Sequence, residues 1–177
     1  MTDAKEYGKA LFLITEEDGS TERVLDDLKI ARSVFKTNPD YEKLLDSPAI
    51  SKDERVSLAD AAFSSLNEYL LNLIKILCER REVRIFDKVC DSFVAYYDES
   101  RGIERVEAVT AVPMTSAQLS ALMKKLGEHL GKRIIVKNTV EPSMLGGVKL
   151  RYSGIQLDGS VKTRLEGFEK ALRKTVI

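Results

Sequence analysis

Arg101-Gly102-Ile103-Glu104-Arg105-Val106-Glu107-Ala108-Val109-Thr110-Ala111-Val112-Pro113 is where the chain changes its repeat. Before this stretch, apolar residues recur every three or four positions, the spacing of helices with one buried face. Within it, Val106, Ala108, Thr110 and Val112 alternate with Glu107 and its neighbours, which is the period of a strand, and Pro113 ends it. The switch predicts an α+β protein: an N-terminal six-helix bundle over 1–105, then a small β-α-β-β-α domain over 106–177.

Working back from the switch, six helices are expected. The first runs from about Thr2 to Glu17 with Ala4, Tyr7, Leu11 and Ile14 on one stripe, leaving Phe12 and Leu13 outside it. The second starts at Ser20/Thr21 and turns Val24, Leu25, Leu28, Ala31, Val34 and Phe35 inward. Asn38-Pro39 opens the third, with proline at the first helical position. Ser51-Lys52-Asp53-Glu54 is a capping box for the fourth. The fifth covers about Leu66 to Arg80, and the sixth is one long helix carrying Val83, Phe86, Val89, Cys90, Phe93, Val94 and Tyr97.

Working forward, Thr115-Ser116-Ala117-Gln118 is a second capping box, opening a helix that Gly131 stops. Arg133–Val140 and Gly147–Tyr152 read as strands rich in β-branched or apolar residues, and Ser153-Gly154 as a hairpin turn to Ile155–Leu157. Asp158-Gly159-Ser160 then leads into a closing helix with Val161, Leu165, Phe168 and Leu172.

The totals exclude several classes. With 44% hydrophobic and 32% charged residues in 177, a folded core is expected and disorder is not. No apolar run approaches the roughly 18 residues of a membrane helix, so no direct membrane insertion is expected. The N-terminal residues do not form a signal peptide, and two cysteines suit a reducing compartment. Net charge is zero, yet residues 1–105 hold 16 Lys/Arg against 22 Asp/Glu, while 106–177 hold 12 against 6. Halves of opposite sign suit two domains with different partners, or simply two solvated surfaces. No basic stripe with stacking aromatics appears, so no nucleic acid is expected.

Chemistry finds no foothold. The sole histidine, His129, has no partner motif, and Cys78 and Cys90 have no further ligand at metal spacing. Gly127-Glu128-His129-Leu130-Gly131-Lys132-Arg133 resembles a phosphate loop, but it has three residues between its glycines, no Ser/Thr after the lysine, and a helix before it. No catalytic residue, no metal site and no cofactor is expected.

The fifth helix does ask for explanation. On a wheel of about 100° per residue, Ile76, Tyr69, Leu73, Leu66, Leu77, Leu70, Ile74 and Leu71 span roughly 220°. A surface helix needs a stripe only somewhat wider than about 100°. The excess means two buried faces: either the bundle encloses the helix, or a groove beside it takes an amphipathic helix from another protein.

These residues resemble a known family. Tyr7-Gly8-Lys9-Ala10-Leu11-Phe12 is similar to the opening helix of ATP synthase delta subunits, with Gly8 where the family usually has alanine, at a cost of about 1 kcal/mol of helix propensity. Leu73-Ile74-Lys75-Ile76-Leu77-Cys78-Glu79-Arg80-Arg81 is similar to the family's fifth helix. Glu141-Pro142-Ser143-Met144-Leu145-Gly146-Gly147-Val148 and Asp158-Gly159-Ser160-Val161-Lys162-Thr163-Arg164-Leu165 match its acidic-x-Ser-(two apolar)-Gly-Gly and Asp-Gly-Ser-(apolar)-x-x-Arg-Leu segments. Element order and length agree over nearly the whole chain. Physically, Gly146 and Gly147 suit a tight turn into a strand, and Asp158, Gly159 and Ser160 suit a helix start. A phosphate cradle at the two glycines lacks the lysine and hydroxyl it needs.

The resemblance implies a non-catalytic stator subunit, present once in a hetero-oligomer, that helps couple proton or sodium flow to ATP synthesis. In this family the helical domain binds alpha-subunit N-termini and the C-terminal domain binds the peripheral-stalk b subunits. Carried onto this chain, the alpha-subunit helix lies between the first and fifth helices, against Tyr7, Ala10, Leu11 and Ile14 on one side and Leu73, Ile74, Ile76 and Leu77 on the other. Val161, Leu165 and Phe168 are the candidates for the stalk. The implied place is the cytoplasmic face of a bacterial cell membrane. A helical adaptor for an unrelated amphipathic peptide is the alternative.

Overall fold

The computed structural model describes residues 4–159. Among these residues it is an α+β protein with seven α-helices and one four-stranded mixed sheet. It divides into two compact units between Asp98 and Glu99.

The first unit holds α1 (Ala4–Asp18), α2 (Thr21–Thr37), α3 (Pro39–Asp46), α4 (Lys52–Phe63), α5 (Glu68–Arg80) and most of α6 (Phe86–Ser100). Its core joins Val24, Leu28, Leu45, Phe63, Leu70, Leu77, Val89 and Phe93, all at 2% exposure or less. Phe35 packs between Phe63 and Phe86, ring centres 5.2 and 5.1 Å away, which ties α2 to α4 and α6.

Two boundaries and one buried face differ from the sequence reading, each for a visible reason. Helix α5 begins at Glu68 rather than near Leu66, because Asn67 is its N-cap. Asn67 Oδ1 accepts from the Tyr69 N–H, and the Asn67 N–H donates to Asp27. The expected sixth helix is two pieces, a 3₁₀ turn at Val83–Ile85 and then α6. Arg81, with φ +57, ends α5, and the Asp46 carboxylate accepts from the N–H groups of Val83 and Arg84. Helix α1 is rotated from its expected stripe. It buries Gly8, Leu11, Phe12 and Thr15, and leaves Ile14 47% exposed.

Gly8 explains that rotation. A Cβ there would meet Ser92 Cβ at 2.5 Å and the Phe93 nitrogen at 2.8 Å. Helices α1 and α6 therefore approach backbone to backbone at a residue whose low helix propensity alone suggests a cost. The Ser92 hydroxyl donates to the Lys5 carbonyl across the same contact. Phe12 then lies against Phe93 and Tyr96.

The second unit contains β1 (Ile103–Thr110), α7 (Ser116–Leu130), β2 (Arg133–Val140), β3 (Val148–Tyr152) and β4 (Ile155–Asp158), in sheet order β2-β1-β3-β4. Strand β1 is central, parallel to β2 and antiparallel to β3. That position accounts for the burial of six of its eight residues. It starts earlier than the alternation suggests and stops at Thr110, whose hydroxyl donates to the Val112 carbonyl. The capping box at Thr115 and Gln118 is present in full.

The expected β-α-β-β-α order counts one strand too few, although the hairpin to Ile155–Leu157 was itself expected. Strand β4 pairs with β3 from Tyr152↔Ile155 to Lys149↔Asp158 across a two-residue turn, with Ser153 at φ +44 and Gly154 at φ +76. Asp158 therefore ends a strand. The expected closing helix, with Ser160, Val161, Leu165, Phe168 and Leu172, lies outside the described residues.

Candidate functional site

Helices α1 and α5 lie side by side and antiparallel. The Arg80 guanidinium stands 5.9 Å from the centre of the Tyr7 ring at one end, and at the other the charge of Asp18 opposes ionisation of the Tyr69 hydroxyl. Helical spacing then sets Tyr7, Ala10, Ile14 and Asp18 of α1 beside Arg80, Ile76, Leu73 and Tyr69 of α5.

The eight candidate groove residues divide in two. Leu11, Leu73, Ile74 and Leu77 are buried at 4%, 7%, 1% and 0% exposure, and belong to the unit's own core. Ile14 and Ile76 remain 47% and 41% exposed, Ala10 is exposed, and Tyr7 is half-buried. The wide arc of α5 is thus mostly core, with Ile76 and half-buried Tyr69 at its open edge. Leu13, at 54%, extends the apolar rim on α1. Arg80 escaped the sequence reading because a charged residue does not register in an apolar pattern; its place on the wheel, between Tyr69 and Leu73, was the signal that could have found it.

The motif glycines serve geometry. Gly146 and Gly147 have φ of +148° and +88°, in the region where side chains strain the backbone, and they deliver the chain into β3. Gly159 donates its N–H to the Val148 carbonyl at 3.0 Å, and a Cβ there would stand 3.1 Å from that same oxygen. Asp158 lies opposite Lys149 in the ladder.

Reactive groups are placed for inertness. Cys78 and Cys90 are buried, and burial pushes each thiol up to about 12. Arg55, at 2% exposure, sends its guanidinium to the carbonyls of Cys78 and Ile50, binding α4 to the end of α5. A hollow of about 550 Å³ on the sheet is lined by Arg105, Glu107, Lys137, Arg151 and their neighbours. Glu107 accepts from Thr139 and pairs with Arg151, which holds its carboxyl below the usual range. Among the described residues, no group of three or more His, Cys, Asp or Glu could hold a metal. No described helix is long and apolar enough to cross a membrane.

Comparison with known proteins fixes the class. The family model for the ATP synthase delta (OSCP) subunit matches residues 4–172. The ATP synthase subunit delta of Brevibacillus brevis is 33% identical over 166 residues, covering 93% of this chain and 94% of its own. That of Clostridioides difficile is 29% identical over 175 residues, covering 98% and 97%. A chain in the cryo-EM structure of the Toxoplasma gondii mitochondrial ATP synthase hexamer shares the fold, with a TM-score of 0.75 at 24% identity over 97% of this chain and 98% of that one. The chain belongs to the ATP synthase delta (OSCP) family. It is a non-catalytic stator subunit of the rotary F-type ATP synthase, linking the catalytic head to the peripheral stalk so that ion flow is coupled to ATP synthesis.

Proposed function

We propose that the α1–α5 groove takes the N-terminal helix of an ATP synthase alpha subunit, and that residues 106–177 hold the C-terminal end of the b subunits. In this reading Ile14 and Ile76 are the rim contacts, with Tyr7 and Ala10 beside them. Leu11, Leu73, Ile74 and Leu77 shape the floor from inside the core. The helical unit that ends at Asp98 is the head-binding domain and the α/β unit, which already includes Ile103–Arg105 of β1, is the stalk-binding domain, with Val161, Leu165 and Phe168 as stalk candidates. The chain serves as a single copy on the cytoplasmic face of a bacterial membrane.

The observation that carries the reading is the pair Ile14 and Ile76, both more than two-fifths exposed on adjacent antiparallel helices. Two apolar side chains left in water along one seam suit an amphipathic helix that buries its own stripe there. An adaptor for an unrelated peptide accounts for the groove but not for the family match over 4–172. Calorimetric titration of the full chain with the cognate alpha-subunit N-terminal peptide tests the reading. Saturable binding that Ile76→Asp abolishes supports it; equal binding by the variant places the peptide elsewhere.

A further inference from the structure

In the α/β unit, α7 lies on one side of the sheet. A Cβ on its Gly127 would stand 3.9 Å from Ile134 Cγ1, so α7 covers the face that holds Ile134, Val136, Val106 and Ala108. The alternate residues of each strand form the opposite face. There the ladder sets Glu107 between Lys137 of β2 and Arg151 of β3, and Arg151 beside Gln156 of β4. Ile135 lies opposite Arg105, Arg133 opposite Ile103, and Lys149 opposite Asp158. Ile103 and Val109 are buried, but between them the face is open: Ile135, Lys137, Arg151 and Gln156 are exposed. The hollow of about 550 Å³ lies over this middle, and Glu107 is the one carboxylate among its lining residues.

The charge of this face is one-sided. Arg105 and Asp158 have partners of their own. Setting both aside leaves Arg133, Lys137, Lys149 and Arg151 against Glu107. Glu107 already accepts from Thr139 and pairs with Arg151. Arg133, Lys137 and Lys149 make no salt bridge among the described residues. One carboxylate between two cations leaves a surplus of positive charge.

We infer that this open sheet face docks the stalk partner, which lies on it as an acidic helix with an apolar side chain over Ile135. This rests on the reading that the α/β unit holds the C-terminal end of the b subunits, and it adds the surface and the chemistry of the contact. A chain lying on the face of a sheet finds no free backbone groups there, because those pair within the sheet. It must satisfy its own, as a helix does. Carboxylates on that helix meet the surplus cations. The face carries no aromatic side chain, so nucleic-acid bases would have nothing to stack on. Two other occupants have the wrong charge. Residues 160–177 hold five Lys/Arg against two Asp/Glu, and the same face of a second copy is equally basic.

The test is calorimetric titration of the full chain with a peptide from the C-terminal end of the cognate b subunit. Wild type is compared with Arg133→Glu/Lys137→Glu and with Lys124→Glu/Lys125→Glu. The second pair makes the same charge change at exposed positions of α7, on the other side of the sheet. Circular dichroism checks that each variant folds. Expected is about a tenfold loss of affinity for the sheet variant at low salt, shrinking to about threefold or less near 0.5 M, where screening is short-ranged. The α7 variant should stay within about threefold of wild type. A peptide whose carboxylates are replaced by amides should bind wild type about tenfold more weakly at low salt. Binding unchanged in the sheet variant, weakened as much by the α7 variant, or indifferent to the peptide's carboxylates overturns the inference and leaves the b-subunit reading standing. If folded wild type does not bind the peptide at all, both fall together.

Discussion

A Cβ atom on Gly8 would stand 2.5 Å from the Cβ of Ser92, so α1 and α6 meet at that pair with no room for a methyl group. The ordinary expectation for a glycine inside a helix is that alanine stabilises it, by about 1 kcal/mol. Overpacking a close contact costs about 1–3 kcal/mol and opposes that gain. Gly8→Ala should therefore destabilise the helical unit by about 1 kcal/mol net in urea unfolding. Ser92→Gly in the same chain should recover part of the loss, since the Phe93 nitrogen remains at 2.8 Å. An increase in stability for Gly8→Ala alone would show that the helices separate freely.

Arg55 is the buried cation that patterning missed, because the fourth helix reads as Val56, Leu58, Ala59, Ala62 and Phe63. Its guanidinium satisfies carbonyls at the end of α5 and before α4, where the helix dipole of α5 also favours positive charge. Arg55→Ala should cost about 3 kcal/mol, leaving two carbonyls without their donor. Arg55→Lys should fall between, since an ammonium cannot reproduce the planar fork. Urea midpoints of the three proteins measure this.

In the second unit, Glu104 accepts from Lys132 Nζ at 2.7 Å and from the Ser153 hydroxyl, joining the start of β1 to the β3–β4 turn. These bonds hold its carboxyl below the usual carboxylate value. A lowered folded-state pKa adds stability that is present above the unfolded value of about 4.3 and is lost as pH falls through the folded one. The wild type should thus lose stability below about pH 4 more steeply than Glu104→Gln, with the two curves converging in acid. Parallel curves would mean the carboxylate contributes nothing.

The thiols give a simpler expectation. Cys78 and Cys90 are buried and held protonated, so both should resist a thiol reagent in the native protein at neutral pH and react fully in urea. Fast native labelling of either would show that the helical unit opens locally.

Periodicity made most of the architecture legible. The switch after Gly102, the box at Thr115 and the turn at Ser153-Gly154 are all local signals, and each has its structural counterpart. What stayed hidden depended on partners distant in sequence. The rotation of α1 needs Ser92, 84 residues after Gly8; the start of α5 needs Asp27; the break before α6 needs Asp46. The groove was half legible for the same reason. A wheel shows that α5 has excess apolar arc, but only packing separates Leu77 at 0% exposure from Ile76 at 41%.

The most direct test of the stator role at this groove is ATP-driven ion pumping by membranes whose synthase lacks this subunit, compared after adding back wild type or Ile76→Asp. Wild type should restore pumping, while the variant should leave ATP hydrolysis running with pumping largely lost, because a head that is not held turns with its rotor. Full recovery of pumping with a folded Ile76→Asp chain would contradict the placement of the head contact at the α1–α5 seam.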